Sequence, residues 1–139
     1  KLKMVFWDKE DKTKSNKNDV GFIDDVLNLT KNMTAIESHS FTSLASTNDE
    51  FFLELNKEIR ELRTKYLSLI TRNERGNSWC INKHLTEVLI ILQEVYTRYL
   101  SIGKIEKAKD VNEDYKKVLN LFFKLNKYDT EEISSESSA

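Results

Sequence analysis

From Phe52 onward an apolar residue returns every third or fourth position: Phe52, Leu55, Ile59, Leu62, Tyr66 and Leu69. A seam this narrow predicts an amphipathic helix packed on a neighbour. A second helical stripe runs through Ile81, Leu85, Val88, Leu92, Val95, Tyr99 and Ile102. Leu89, Ile90 and Ile91 widen it most of the way round, so this helix is expected in the middle of a bundle. A further helix, roughly Ile105 to Asn126, offers Ala108, Val111, Tyr115, Val118, Leu119, Phe122 and Leu125. The earliest helix starts after Asn18 or Asp19 and carries Phe22, Ile23, Val26, Leu27, Met33, Ile36, Phe41 and Leu44. Thr30, Thr34, Thr42 and several serines weaken it and predict a break near Ser38 to Ser40.

The ends of these segments carry stop and start signals. Thr47-Asn48-Asp49-Glu50 reads as a capping box before the second helix. Arg72 falls in that helix's last turn, where a cation suits the dipole. Gly76 or Asn77 supplies a left-handed turn, Ser78 caps the third helix, and Gly103 ends it. The expected fold is all-α: an antiparallel bundle of about four helices in a single domain over residues 19–127. Residues 1–18 are expected to be a flexible charged arm, because Asp8 to Asp19 contain no apolar side chain, with Val5, Phe6 and Trp7 as an apolar tag before them. Residues 128–139, with four carboxylates and no base, are expected to be an acidic disordered tail.

The stretch YTRYLSIGKIEKAKDVNEDY resembles the turn of a tetratricopeptide-type helical hairpin. Tyr99, Gly103 and Ala108 stand at the motif's positions, and the likeness covers residues 95–125; Tyr96, Asn112 and Asn120 depart from it. The resemblance implies close approach of two helices at Ala108, in a kind of hairpin that binds segments of other proteins. No second copy follows at the 34-residue period of a solenoid.

Composition narrows the function classes. The chain has no proline and three glycines, which suits long helices on short turns. Its 22 basic and 23 acidic residues give a net charge of -1, so no global field draws it to nucleic acid or an anionic membrane. A single cysteine cannot form an internal disulfide, which makes a reducing cytoplasm the expected location. The longest apolar run, Val88 to Leu92, is far short of the ~20 residues of a membrane span.

Candidate chemistry gathers in RNERGNSWCINKH, residues 72 to 84. Cys80 in the first turn of a helix, with His84 one turn on as a base and Asn82 or Glu87 to orient it, would suit a thiol nucleophile. Cys80 and His84 with His39 and Glu37 would complete a tetrahedral metal set. Arg72, Arg75 and Lys83, with Trp79 to stack on a base, would suit nucleic acid, but interleaved glutamates cancel much of their field. Each residue also fits a plain helix connection, with Trp79 and Ile81 closing the bundle end and Cys80 packed as a small hydrophobe. We therefore expect no catalytic residue, cofactor or metal, and a non-catalytic interaction module with a protein partner or a second copy of itself. Leu89, Ile90, Ile91, Tyr96 and Tyr99 are the expected interaction surface.

Overall fold

A computed structural model describes residues 20–128, in which the chain forms four α-helices: α1 (Val20–Thr47), α2 (Phe51–Ile70), α3 (Ser78–Ser101) and α4 (Ile105–Leu125). The expected arm and nearly all of the expected tail lie outside the described residues. The all-α bundle is as the periodicity predicts. Short turns fold α1 onto α2 and α3 onto α4, and the cross-helix contacts give the direction of each pair. Glu37 meets Arg63 while Ser40 meets Asn56, and Asn82 meets Asn126 while Tyr99 meets Lys107. As the number rises on one helix it falls on the other, so both hairpins are antiparallel. α1 is the helix that joins them, packing along α2 on one side and against α3 on the other.

The core is concentrated at one end. Ile23, Val26 and Leu27 come from the start of α1, Leu67 and Ile70 from the end of α2, Phe122 and Phe123 from the end of α4, and Leu89 from α3. At the other end Phe41, Phe51, Leu53, Ile102 and Ile105 are exposed. The molecule is thus two helical hairpins closed at the end that holds residues 71–77 and less fully packed towards the opposite tips. Lys31 of α1 bridges them: it is buried, donates to the Tyr115 hydroxyl of α4 at 2.7 Å, and lies 5.2 Å from the centre of that ring.

Several local expectations are corrected. α1 runs unbroken through Ser38 to Ser40, and its hydroxyls are satisfied within the helix by donating back to the preceding turn: Thr34 to the Thr30 carbonyl at 2.8 Å, and Ser40 to the Glu37 carbonyl at 2.8 Å. The α2 cap is Asp49, whose carboxylate accepts from the Phe51 N–H at 3.0 Å, and not a reciprocal Thr47–Glu50 box. Ser78 does not cap α3. Its hydroxyl accepts from the Arg75 N–H at 3.0 Å and donates to the Arg75 carbonyl, closing the turn in which Gly76 takes φ +50°. Arg72 lies beyond the end of α2, and Tyr128, expected in the tail, is core. The chain turns back through Lys127 at φ +60°, and the Tyr128 hydroxyl donates to the Ile70 carbonyl at 2.7 Å.

Two helices are also rotated from the face their apolar pattern predicts. The seam through Leu62, Tyr66 and Leu69 gives way to Arg63, Leu67 and Ile70 as the most buried positions of α2. In α3 the predicted stripe through Ile81, Leu85 and Val88 gives way to Asn82, Thr86 and Leu89. A one-residue slip is a turn of about 100°. α3 is therefore not a central helix wrapped in apolar contacts; Ile81, Val88 and Ile91 face outward.

Two polar side chains of the buried faces satisfy each other. Asn82 and Asn126, both fully buried, form a closed amide pair, with Asn126 Nδ2 donating to Asn82 Oδ1 at 2.7 Å and Asn82 Nδ2 donating to Asn126 Oδ1 at 3.1 Å. Asn126 Oδ1 also accepts the Arg72 N–H at 2.8 Å. Replacing Asn126 with alanine strands the Asn82 amide and that N–H, so we expect a loss of about 2–4 kcal/mol, read from the urea midpoint. The Asn82→Ala, Asn126→Ala double variant should lose less than the two single variants combined. Strictly additive losses would mean that the two amides act independently.

Candidate functional site

The 72 to 84 segment does not assemble into a reactive centre. Cys80 and His84 both project from the exposed side of α3, and no hydrogen bond joins them. His84 Nδ1 instead lies 3.1 Å from Glu87 Oε2, on the side chain's own helix. Cys80 is neither packed as a small hydrophobe nor held beside a base, and Ile81 next to it is also exposed rather than closing the bundle end. Trp79 does pack against the core. Among the described residues no group of three or more His, Cys, Asp or Glu side chains is placed to hold a metal ion. Glu37, the acidic member of the expected metal set, is committed to Arg63, whose Nε and Nη2 both donate to its carboxylate, the latter at 3.2 Å.

The three bases singled out for nucleic acid are also divided. Arg72 and Arg75 lie on the connection, where the Arg72 Nε is buried with no hydrogen-bond partner among the described residues. Lys83 lies on α3 and faces α1, one turn from Glu87 and about 16 Å along the helix from Glu94. Lys127 donates to Glu74 at 2.6 Å across the outside of the connection, and this contact holds the Glu74 carboxyl below its ordinary range. A lowered carboxyl pKa stabilises the fold above the ordinary carboxylate range, and the contribution disappears as pH falls through the lowered value. At this exposed site solvent screens it.

What the helices do build is a groove. Between the middle of α1 and α3 lies a cleft of about 630 Å³, with Ala35, His39 and Phe41 on one wall and Lys83, Ile90 and Ile91 on the other. It exists because the α3 rotation that buries Asn82, Thr86 and Leu89 turns Ile91 out of the core. Phe41 is 67% exposed and Ile91 54% exposed, large apolar fractions for side chains facing each other across a cleft. Glu87 and Glu94 stand along the α3 wall, and Glu94 has no ion-pair partner among the described residues. The rim is therefore more acidic than basic.

The five residues expected to form one surface fall in three places. Leu89 is 0% exposed and belongs to the core, which removes it from any docking surface. Ile90 and Ile91 line the groove. Tyr96 lies on the opposite side of α3, in a smaller cleft against Val111 and Tyr115 of α4, and Tyr99 is covered by Lys107, whose Nζ is 6.0 Å from the ring centre. Phe41, which sequence reasoning placed in the core of α1, is the contributor that was missed. Its signal was the threonine and serine content around it, which made that end of α1 a poor core.

No protein-family model matches the chain, and comparison with curated proteins and with solved structures gives no match. The fold and the groove define an all-α bundle of two hairpins with a cleft between them. No helix of the described residues is long and apolar enough to cross a membrane.

The placement of Cys80 makes a direct prediction. Its thiol should be alkylated by a maleimide in the native protein to the same extent as in urea, and Cys80→Ser should leave the melting temperature within about 3 °C, since surface substitutions rarely exceed ~0.5 kcal/mol. A thiol that reacts only after unfolding would contradict its exposed position.

Proposed function

We propose that the protein is a non-catalytic interaction module, which receives a segment of a partner protein in the groove between α1 and α3. The observation that carries this reading is the pair of exposed apolar side chains, Phe41 and Ile91, on opposite walls of one cleft. Apolar surface of this kind is stabilised when another chain removes it from water, by roughly 25 cal/mol per Å². The acidic α3 rim favours a segment whose apolar residues are flanked by lysine or arginine. The likeness of residues 95–125 to a tetratricopeptide-type hairpin points the same way. An exposed lone thiol suits work in a reducing compartment such as the cytoplasm.

The test is affinity capture from native extract, with and without nuclease, comparing wild type, Ile91→Glu and Ile102→Glu. Both substitutions put a charge on an exposed aliphatic position, but only the first is in the groove. A partner held by wild type and Ile102→Glu should be lost from Ile91→Glu by tenfold or more, about 1.4 kcal/mol. Equal retention by Ile91→Glu would sink the groove reading, and capture that vanishes only with nuclease would favour nucleic acid at Arg72 and Arg75 instead.

A further inference from the structure

We propose that, in the absence of a partner, the groove between α1 and α3 is occupied by the chain's own Met4–Trp7 segment. This rests on the reading of the groove as a docking surface and names its resident competitor. Three observations favour that occupant. The first is chemical match: Met4, Val5, Phe6 and Trp7 form the one concentrated apolar run of residues 1–19, and the groove presents Phe41, Ile90 and Ile91. The second is charge: Lys1 and Lys3 precede the run with no acid beside them, although Asp8, Glu10 and Asp11 outnumber Lys9 after it, while Glu87 and Glu94 stand along the α3 wall with Lys83. The chain's other end is excluded on the same ground, because Asp129, Glu131, Glu132 and Glu136 would meet those carboxylates.

The third observation is reach. Residues 8–19, between Trp7 and the start of α1, contain no apolar side chain to hold them elsewhere. Thirteen steps separate Trp7 from Val20, which span at most about 45 Å when extended. The α1 wall of the groove, Thr34 to Thr42, lies about 21–33 Å along the helix from Val20. An unstructured linker of thirteen steps has a root-mean-square length of ~20 Å, and somewhat more where its charges repel. The span and the tether are therefore comparable, the condition under which effective concentration is greatest and reaches about the millimolar range. A modest intrinsic affinity then suffices to keep the groove filled, and a partner must displace the segment.

Fluorine NMR of the full chain carrying 5-fluorotryptophan reads this directly, since the protein has two tryptophans and a Trp7→Phe variant assigns them. The Trp7 resonance should differ from that of a synthetic peptide of residues 1–19, move to the peptide's position in Ile91→Glu, and stay put in Ile102→Glu. Partner capture should rise several-fold in Trp7→Ser. A Trp7 resonance that coincides with the free peptide in wild type, or ignores Ile91→Glu, overturns the inference. So does one that shifts over an about hundredfold range of protein concentration, because the groove would then be covered by a second copy. If Trp7 is free yet Ile91→Glu still abolishes capture, the interaction reading stands and only the resident segment falls.

Discussion

The closed amide pair between Asn82 and Asn126 is the contact on which the closed end of the bundle depends. It sits where the start of α3, the end of α4 and the connection from α2 converge, and through the Arg72 N–H it fixes all three at once. Asn126 uses its whole amide: two accepted bonds at Oδ1 and two donated at Nδ2, the last to the Phe122 carbonyl at 2.8 Å. An apolar contact at the same place would tolerate sliding and rotation. Two primary amides bonded in a ring tolerate neither, because a displaced partner leaves buried donors and acceptors unpaired at a cost of about 1–3 kcal/mol each. The phase of α3 follows from this. With Asn82 inward, Thr86 and Leu89 must also face in, and Ile81 and Val88, one position away, are turned out while Leu85 stays at the edge of the core.

A second polar contact sets the α1–α2 hairpin. Arg63 is only 2% exposed, and its guanidinium grips the Glu37 carboxylate with two donors, one turn of α1 below the Ser40 hydroxyl that accepts from Asn56 at 2.9 Å. Such a pair contributes less net stability than an apolar pair of equal volume, since two charges lose their water. Its effect is on register. The fork of an arginine meets a carboxylate in one geometry, so α2 is held in a single rotation against α1. With α2 fixed by Arg63 and α3 by Asn82, the two hairpins can close fully only where the apolar residues are dense, around Ile23, Leu27, Ile70 and Phe122.

These same residues explain what could be read from the sequence. The four helices were legible because their apolar periodicity is strong, and their ends were placed to within about two residues except at the end of α1, where a break was expected near Ser38 to Ser40 and the helix continues to Thr47. On α4, Ala108 and Phe122 are buried as the pattern requires, because no buried polar side chain competes there. On α2 and α3 the phase was misread by one residue in both cases, and in the same direction. A pattern of apolar positions cannot assign an arginine or an asparagine to the interior, since their burial depends on partners 26 and 44 residues away in the chain. The groove was hidden for the same reason. Ile90 and Ile91 were legible as surplus apolar surface, but Phe41 and the acidic α3 rim acquire meaning only once α1 and α3 lie side by side. The crowding of Cys80, His84 and Trp79 was misleading in the opposite sense: their nearness in sequence is not convergence in space, because successive side chains on a helix point in different directions.

The groove is thus a consequence of how specificity is obtained in this bundle. A protein of this size that buried Ile81, Val88 and Ile91 would gain apolar stabilisation, and with Ile91 it would lose one wall of the cleft. Placing Ser78, Asn82 and Thr86 on the inner face of α3 gives up part of that stabilisation, fixes the rotation of the helix, and leaves a row of aliphatic side chains facing water. Exposed aliphatic side chains on a rigid wall are an adhesive surface unless something covers them. Within the cleft, the wall from α1 is continuous through Ser38 and the wall from α3 is pinned by amides. The cleft can therefore be filled only by something that comes to it, and not by collapse of its own walls.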